Sequence, residues 1–500
     1  MSIASLGTLA HIVEDAEVVG SGSAWAALQI QRVHTDTRTL QPGDLYVALT
    51  GPRFDGNALL AQACDAGAVA VVCAGEVARK TLPTLGCPAF VVPDTRRALG
   101  QIAHAHRLRC IAQVVAIAGS NGKTTVTQMV GAILRHYAGD AALATEGNHN
   151  NEIGVPLTLL RLTLRHRYAV VELGTNHPGE IAVLARIAQP SIALVNNAQR
   201  DHVQFFASVE DVARENGAAL QALPAWGKAV YPADEAYASL WAEMASHCGR
   251  IMFSASADID ATLRLLDATW KQDRWQIRVA ISQVERECTL PMPGWHNVRN
   301  ALAAAACALA AGLPWEPIAQ GLASFTPVRG RSRVYRCSVQ GRGLTVVDDT
   351  YNANPDSMRA AIDLLATLPA PQWLVLGDMG ELGADALAMH REVLEYALSM
   401  LQGTIYTIGP LFAEAARSCA GGSDAVQAHQ EHGALLASML PALPGAGSVL
   451  CKGSRAMRME TVLEGVLAAC DGATDQDSEH RADHRQAHQD CRHRKEDRSC

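Results

Sequence analysis

The run Gly119-Ser120-Asn121-Gly122-Lys123-Thr124-Thr125 carries the clearest chemistry in the chain. It follows an apolar, strand-like stretch from Gln113 and leads into a helical pattern from Lys123 to His136. Glycines let such a loop curl until its N–H groups converge on phosphate oxygens, and the helix N-terminus adds a positive dipole. The Lys123 ammonium can reach the terminal phosphates, and the Thr124 hydroxyl can coordinate Mg²⁺. A full G-x-x-x-x-G-K-[ST] motif would need glycine where Ile117 stands, but the mechanism of convergent donors survives that difference. Gly119, Ser120, Asn121, Gly122, Lys123, Thr124 and Thr125 are therefore expected to hold nucleotide phosphates. The plainer alternative is a strand–turn–helix connection whose lysine faces solvent. The loop contains no G-x-G-x-x-G, which leaves a nicotinamide cofactor unsupported.

Ligands of parallel sheets collect at the carboxyl ends of the strands. Glu172 ends the run YAVVEL, and Gly174-Thr175-Asn176-His177 follows. Asn196 and Asn197 close SIALVNNA, with Asp201 and His202 just beyond. Glu172 and His202 are candidate magnesium ligands, directly or through water, although magnesium prefers oxygen. A salt-bridge role for Glu172 and capping or loop roles for His177 and His202 are the alternatives. Further along, Asp348 and Asp349 end another strand, before Tyr351-Asn352-Ala353-Asn354-Pro355. Adjacent carboxylates point to opposite sides of a strand, so one of the two is expected to meet a given ligand. Asp378 and Glu381, then Lys452 and Arg455, recur at similar strand exits and predict a cleft facing the nucleotide loop.

The elements that must position these residues divide into stretches. Residues 1–110 alternate short β-rich runs with helical ones and predict a small α/β unit. Residues 111–328 hold the phosphate loop within apolar strands separated by helices, a mainly parallel sheet. Hairpin-like strands follow after Leu263, then a small-residue helix from Asn297 to Gly312. Residues 329–470 repeat the strand–helix alternation and predict a second open α/β sheet. Residues 471–500 are charged and nearly free of apolar side chains, so a flexible tail is expected. Its histidines at 480, 484 and 488 could share a helix face, but a metal role is not favoured in a segment without a core.

Composition excludes several classes. A net charge of -8 offers no general attraction for nucleic acid or anionic lipid, and 5% aromatic residues argue against base-stacking platforms. The 13 cysteines show no C-x-x-C pair and read as buried thiols in a reducing compartment. The start lacks a basic leader with a sustained apolar core, and the apolar run Ala301 to Gly312 is too short to span a bilayer. A cytoplasmic protein that is not membrane-inserted is expected.

GSNGKTT, GNHNNEIGVPLTLL, VVELGTNHPGEI, GWHNVRNALAA, DDTYNANPDSMRAAI and GDMGELG together resemble the Mur ligase family, over about residues 30 to 465. The resemblance implies an α/β, three-domain architecture: an N-terminal substrate domain, a central P-loop domain with a mainly parallel sheet, and a C-terminal open α/β domain that closes over both. It implies an ATP-dependent amide ligase, most similar to members that join D-alanyl-D-alanine to UDP-N-acetylmuramoyl-tripeptide, with ATP as co-substrate and Mg²⁺ as cofactor. It also implies a monomer. By the matching motifs, Lys123, Glu172, His202 and Arg331 would be catalytic, and Thr124, Glu172 and His202 would surround magnesium. Asn297 and Asn300 would lie near the adenine, with Arg331 and Asp349 near the phosphates and ribose. Asn297 as a helix cap and Asn300 as a surface amide are the plainer readings. Asp36 to Arg38 and Gly51 to Asn57 would belong to the UDP-precursor domain, and Asn352 and Asn354 to the closing face. The chain departs from the family where a modifiable lysine is common: Asn216 stands there, and Glu215 is the nearest residue able to offer an oxygen instead. Asn57 likewise replaces a common histidine. Another ligase of the same superfamily, a switching or mechanical nucleotidase, and a non-catalytic nucleotide-binding scaffold are the rival readings.

Overall fold

A computed structural model describes residues 2–20, 25–419 and 425–475. Its largest sheet has nine strands in the order Ala142–Ala144, Tyr168–Glu172, Gln113–Ala118, Ile192–Val195, Lys228–Pro232, Gly249–Ser254, Leu263–Lys271, Arg274–Ile281 and Val284–Leu290. The first seven run parallel, and each of the last two pairs antiparallel with the strand before it, so the hairpin texture after Leu263 extends this sheet. The inner strands are almost wholly apolar because helices cover both faces. Val115 and Ile117 pack into one layer with the helices Lys123–Ala138 and Trp295–Ala310. Val114, Ala116 and Ala118 face the other layer, with the helices Glu180–Ala188 and Val209–Gln221. The alanines of Trp295–Ala310 are all buried, which lets this helix lie close against its neighbours.

The third sheet has seven strands, in the order Val426–His429, Ile405–Ile408, Gln372–Gly377, Ser448–Lys452, Arg342–Asp349, Arg333–Val339 and Asp471–Asp475. Apolar layers cover both of its faces. Asp471–Asp475 was expected to begin a flexible tail. It instead pairs antiparallel with Arg333–Val339, where backbone ladder bonds offset the lack of apolar side chains. Residues 476–500, with the tail histidines, lie outside the described residues.

The first sheet orders Glu17–Val19, Ala89–Val91, Ala70–Cys73, Asp44–Val47 and Arg32–His34, with only the first pair antiparallel. Cys64 and Cys87 form a disulfide there, unlike the reduced thiols expected. Among the described residues, no helix is long and apolar enough to cross a membrane.

Candidate functional site

Strand Gln113–Ala118 delivers the loop and helix Lys123–Ala138 receives it. Gly119 and Gly122 take φ values of +137° and +81°, which other residues rarely adopt. A Cβ on Gly122 would collide with the side chains of Asn300 and Asn196. The Asn121 carbonyl accepts from Asn196 Nδ2 at 2.8 Å and from Asn197 Nδ2 at 2.9 Å. These two asparagines, at the carboxyl end of their strand, thus serve the loop itself. Lys123 Nζ donates to the carbonyls of Gly119 and Ser120 at 2.7 and 2.8 Å and lies 3.9 Å from Asp201.

The loop opens on a cleft of about 590 Å³, lined by all three units of the chain. Inside it, Glu172 Oε1 accepts from the Thr124 hydroxyl at 3.1 Å and from Asn150 Nδ2 at 2.8 Å. Glu172 Oε2 is buried without a hydrogen-bond partner. A buried carboxylate oxygen left unpaired beside a threonine hydroxyl is costly unless something positive meets it, and this donor set suits a hard, oxygen-preferring cation. Among the described residues, no three His, Cys, Asp or Glu side chains form a preassembled metal cluster. A magnesium site drawing partly on water and phosphate oxygens needs none. His202 lines the same cleft, with Nδ1 2.5 Å from Glu381 and Nε2 3.6 Å from Asp201.

Arg331 enters from the third unit, donates to Thr124 Oγ1 at 3.3 Å and stacks over Tyr351 at 4.0 Å. It also borders a second cleft of about 130 Å³, shared with Asn121, Gly122, Thr125, Asn297, Asn300 and Asp349. Asn297 is not a cap, since Gly294 occupies that position, and Asn300 is buried, not a surface amide. Asn300 Nδ2 donates to Asn297 Oδ1 at 3.1 Å, and its own Oδ1 accepts from Asn196 at 3.1 Å. A relay of amides thus joins this helix to the phosphate loop.

The paired carboxylates divide as strand geometry requires. Asp348 accepts from Gly330 N–H and the Thr350 hydroxyl, both at 2.7 Å, and burial pushes its carboxyl up from the usual range. Asp349 faces the second cleft. Burial would raise it too, but Lys452 Nζ at 2.6 Å outweighs that and holds it below the usual range.

Asn354 caps helix Pro355–Ala366, and its Nδ2 donates to Asn121 Oδ1 at 3.0 Å. Asn352 and Lys452 line the main cleft. Two residues from the predicted strand exits lie elsewhere. Asp378 accepts from the N–H groups of Leu411 and Phe412, both at 2.9 Å, at the start of helix Pro410–Ser418. Arg455 does not line the cleft itself but pairs with Glu460 at 3.1 Å and lies 5.9 Å over the ring of Tyr351, which does. Each carboxylate oxygen of Glu215 accepts one backbone N–H, from Gly179 at 2.7 Å and from Ile181 at 2.8 Å. In the first unit, Asp36 and Arg38 pair with each other at 2.6 Å. Asn57 is buried, bonded to Asp55 at 2.8 Å and to Ala74 N–H at 2.9 Å. His177 stands in the cleft with its ring against Phe205 and its Nδ1 3.3 Å from Glu180.

Two contributors were not singled out from sequence. Asn150 sits within GNHNN, where only its place in a motif marked it. Arg200 binds Asp356 and Glu392 of the third unit, each at 2.7 Å, from a loop without periodicity to reveal its partners.

A phosphate loop, a carboxylate beside its threonine and a third unit reaching across both define a nucleotide-dependent enzyme of the Mur ligase type, and the chain belongs to the Mur ligase family. Residues 117–308 match the Mur ligase middle domain, 330–455 the Mur ligase glutamate ligase domain, and 29–107 the segment described as the Mur ligase family catalytic domain. Among curated relatives, the UDP-N-acetylmuramoyl-tripeptide–D-alanyl-D-alanine ligase of Haemophilus influenzae is 40% identical over 78% of this chain and 81% of that protein. The ligase of the same name from Escherichia coli K12 is 37% identical over 88% of this chain and 94% of its own length. A crystal structure of MurF from Acinetobacter baumannii superposes with a TM-score of 0.83 at 30% identity, covering 94% of this chain and 99% of that one.

Proposed function

We propose that the protein joins D-alanyl-D-alanine to UDP-N-acetylmuramoyl-tripeptide at the expense of ATP, giving the UDP-linked pentapeptide, ADP and phosphate in peptidoglycan precursor synthesis. The observation that carries this reading is the convergence of Lys123, Thr124, Glu172, His202 and Arg331 on one cleft walled by three units. Residues 1–110 would bind the UDP-linked precursor, 111–328 the nucleotide, and 329–470 would close over both.

A carboxylate lacks a leaving group, so amide formation first needs activation. The terminal carboxylate of the tripeptide attacks the γ-phosphorus, the bond to the bridging oxygen breaks, and ADP departs from an acyl phosphate. The amine of D-alanyl-D-alanine then attacks the acyl carbon, loses a proton and expels inorganic phosphate. Lys123 exchanges its carbonyl contacts for phosphate oxygens and offsets charge on the transferred group, with Arg331 reaching the same region. Thr124 and Glu172 would hold Mg²⁺, with His202 Nε2 beside them while Glu381 fixes the ring through Nδ1. The ion would neutralise charge on the phosphates. Asn297, Asn300 and Asp349 would border the nucleoside. Closure by the third unit excludes water from an intermediate that water would hydrolyse.

The enzyme would work as a monomer in the cytoplasm on these small substrates, without nucleic acid. Incubation with both substrates and ATP, followed by mass analysis, tests the assignment. The expected product is heavier than the tripeptide by one dehydrated dialanine unit, whereas a product built with a single amino acid would favour another member of the family.

A further inference from the structure

Helix Val209–Gln221 lies against the central sheet, and Asn216 in its second half is 1% exposed. Its Oδ1 accepts the Gly119 N–H at 3.0 Å, while its Nδ2 donates to the Val212 carbonyl at 3.0 Å. One end of the amide is anchored on its own helix and the other on the first glycine of the phosphate loop. Asparagine is a weak helix former, so helix propensity does not account for it here. The next two loop amides are also held inward: Ser120 N–H by the Asn197 carbonyl at 3.2 Å and Asn121 N–H by Asn197 Oδ1 at 2.8 Å. The loop's later N–H groups, from Gly122 to Thr125, begin a helix whose first turn has no intrahelical partners. They are the donors left for an anion. The preceding residue, Glu215, binds the N–H groups of Gly179 and Ile181, so adjacent residues of this helix tether the phosphate loop and the start of helix Glu180–Ala188.

We propose that Asn216 is a positioning residue for ATP. By turning the Gly119 amide inward, it sets the curl that leaves the later loop amides facing the phosphates. The proposal rests on the ATP reading above, and direct binding separates the two. ADP binding to the full chain is measured by calorimetry for wild type and for Asn216→Leu, which has similar size and no amide. Steady-state constants for all three substrates are measured alongside. Loss of one buried hydrogen bond to the loop predicts an ADP Kd and an ATP KM raised about tenfold, with the KM for D-alanyl-D-alanine nearly unchanged. A selective change of this kind is not what a general loss of folded protein produces. Wild type that binds no ADP overturns the ATP reading and this proposal with it. Wild type that binds while the variant binds equally well, or a variant whose KM values all rise together, overturns the role of Asn216 alone. Should the variant fail to fold, hydrogen exchange on the nucleotide-free wild type decides: the Gly119 amide is expected to be protected, and rapid exchange there overturns the proposal.

Discussion

Lys123 spends its charge on its own loop, with two carbonyls and Asp201 around the ammonium. Glu172 keeps one oxygen for Thr124 and Asn150 and leaves the other buried without a partner. In the proposed magnesium site, that unpaired oxygen is the one left to meet the cation. Glu172→Gln removes the charge while keeping the shape, so the Mg²⁺ concentration for half-maximal activity should rise by about tenfold or more. A magnesium titration of turnover checks this, and an unchanged midpoint would remove Glu172 from the metal site. Much of this scale was readable in the sequence, because a glycine-rich turn between strand and helix has few other uses. The two aspartates were also separable in advance, since a strand must point Asp348 and Asp349 to opposite sides. What escaped were the partners of the amides. Asn196, Asn197 and Asn300 hold the loop through hydrogen bonds between residues distant in sequence, and no local pattern encodes such partners.

Helix ends connect these residues to the larger architecture. Asn354 caps helix Pro355–Ala366 with a reciprocal bond from Ser357, and the same side chain meets Asn121 of the phosphate loop. Asn354→Ala should therefore cost about 1 kcal/mol of stability through the lost cap. It should also raise the KM for ATP several-fold, about what one hydrogen bond is worth. Ser357→Ala separates the two effects, because it loses the return bond of the cap while leaving the contact to Asn121. Denaturant melts with matched kinetics check this, and equal KM values in both variants would confine Asn354 to capping. At this scale the strand–helix alternation was plain from hydrophobic runs. Strand Asp471–Asp475 was hidden because its sequence, DGATD, shows no alternation of apolar and polar residues of the kind that marks a half-buried strand.

Across the whole molecule, Arg200 is one of several residues that tie the third unit to the central one, its guanidinium meeting Asp356 and Glu392. Arg200 holds the Glu392 carboxyl below its ordinary range. The contribution of this pair to docking is therefore complete above the ordinary glutamate pKa and is lost as pH falls through the depressed value. Both partners are partly exposed, so salt should weaken the contact as well. Arg200→Ala should enlarge the radius of gyration of the nucleotide-free protein in X-ray scattering. An unchanged scattering curve would show that other contacts hold the units together. The three-unit organisation was foreseeable from motif order along the chain, whereas the contacts between units depend on loops whose approach no single segment specifies. The claim that these units form one ligase is tested most directly by phosphate release from Mg-ATP with each substrate omitted in turn. Release is predicted only when UDP-N-acetylmuramoyl-tripeptide and D-alanyl-D-alanine are both present, and it should disappear in Lys123→Ala. Release that needs neither substrate, or that persists without Lys123, would contradict the account.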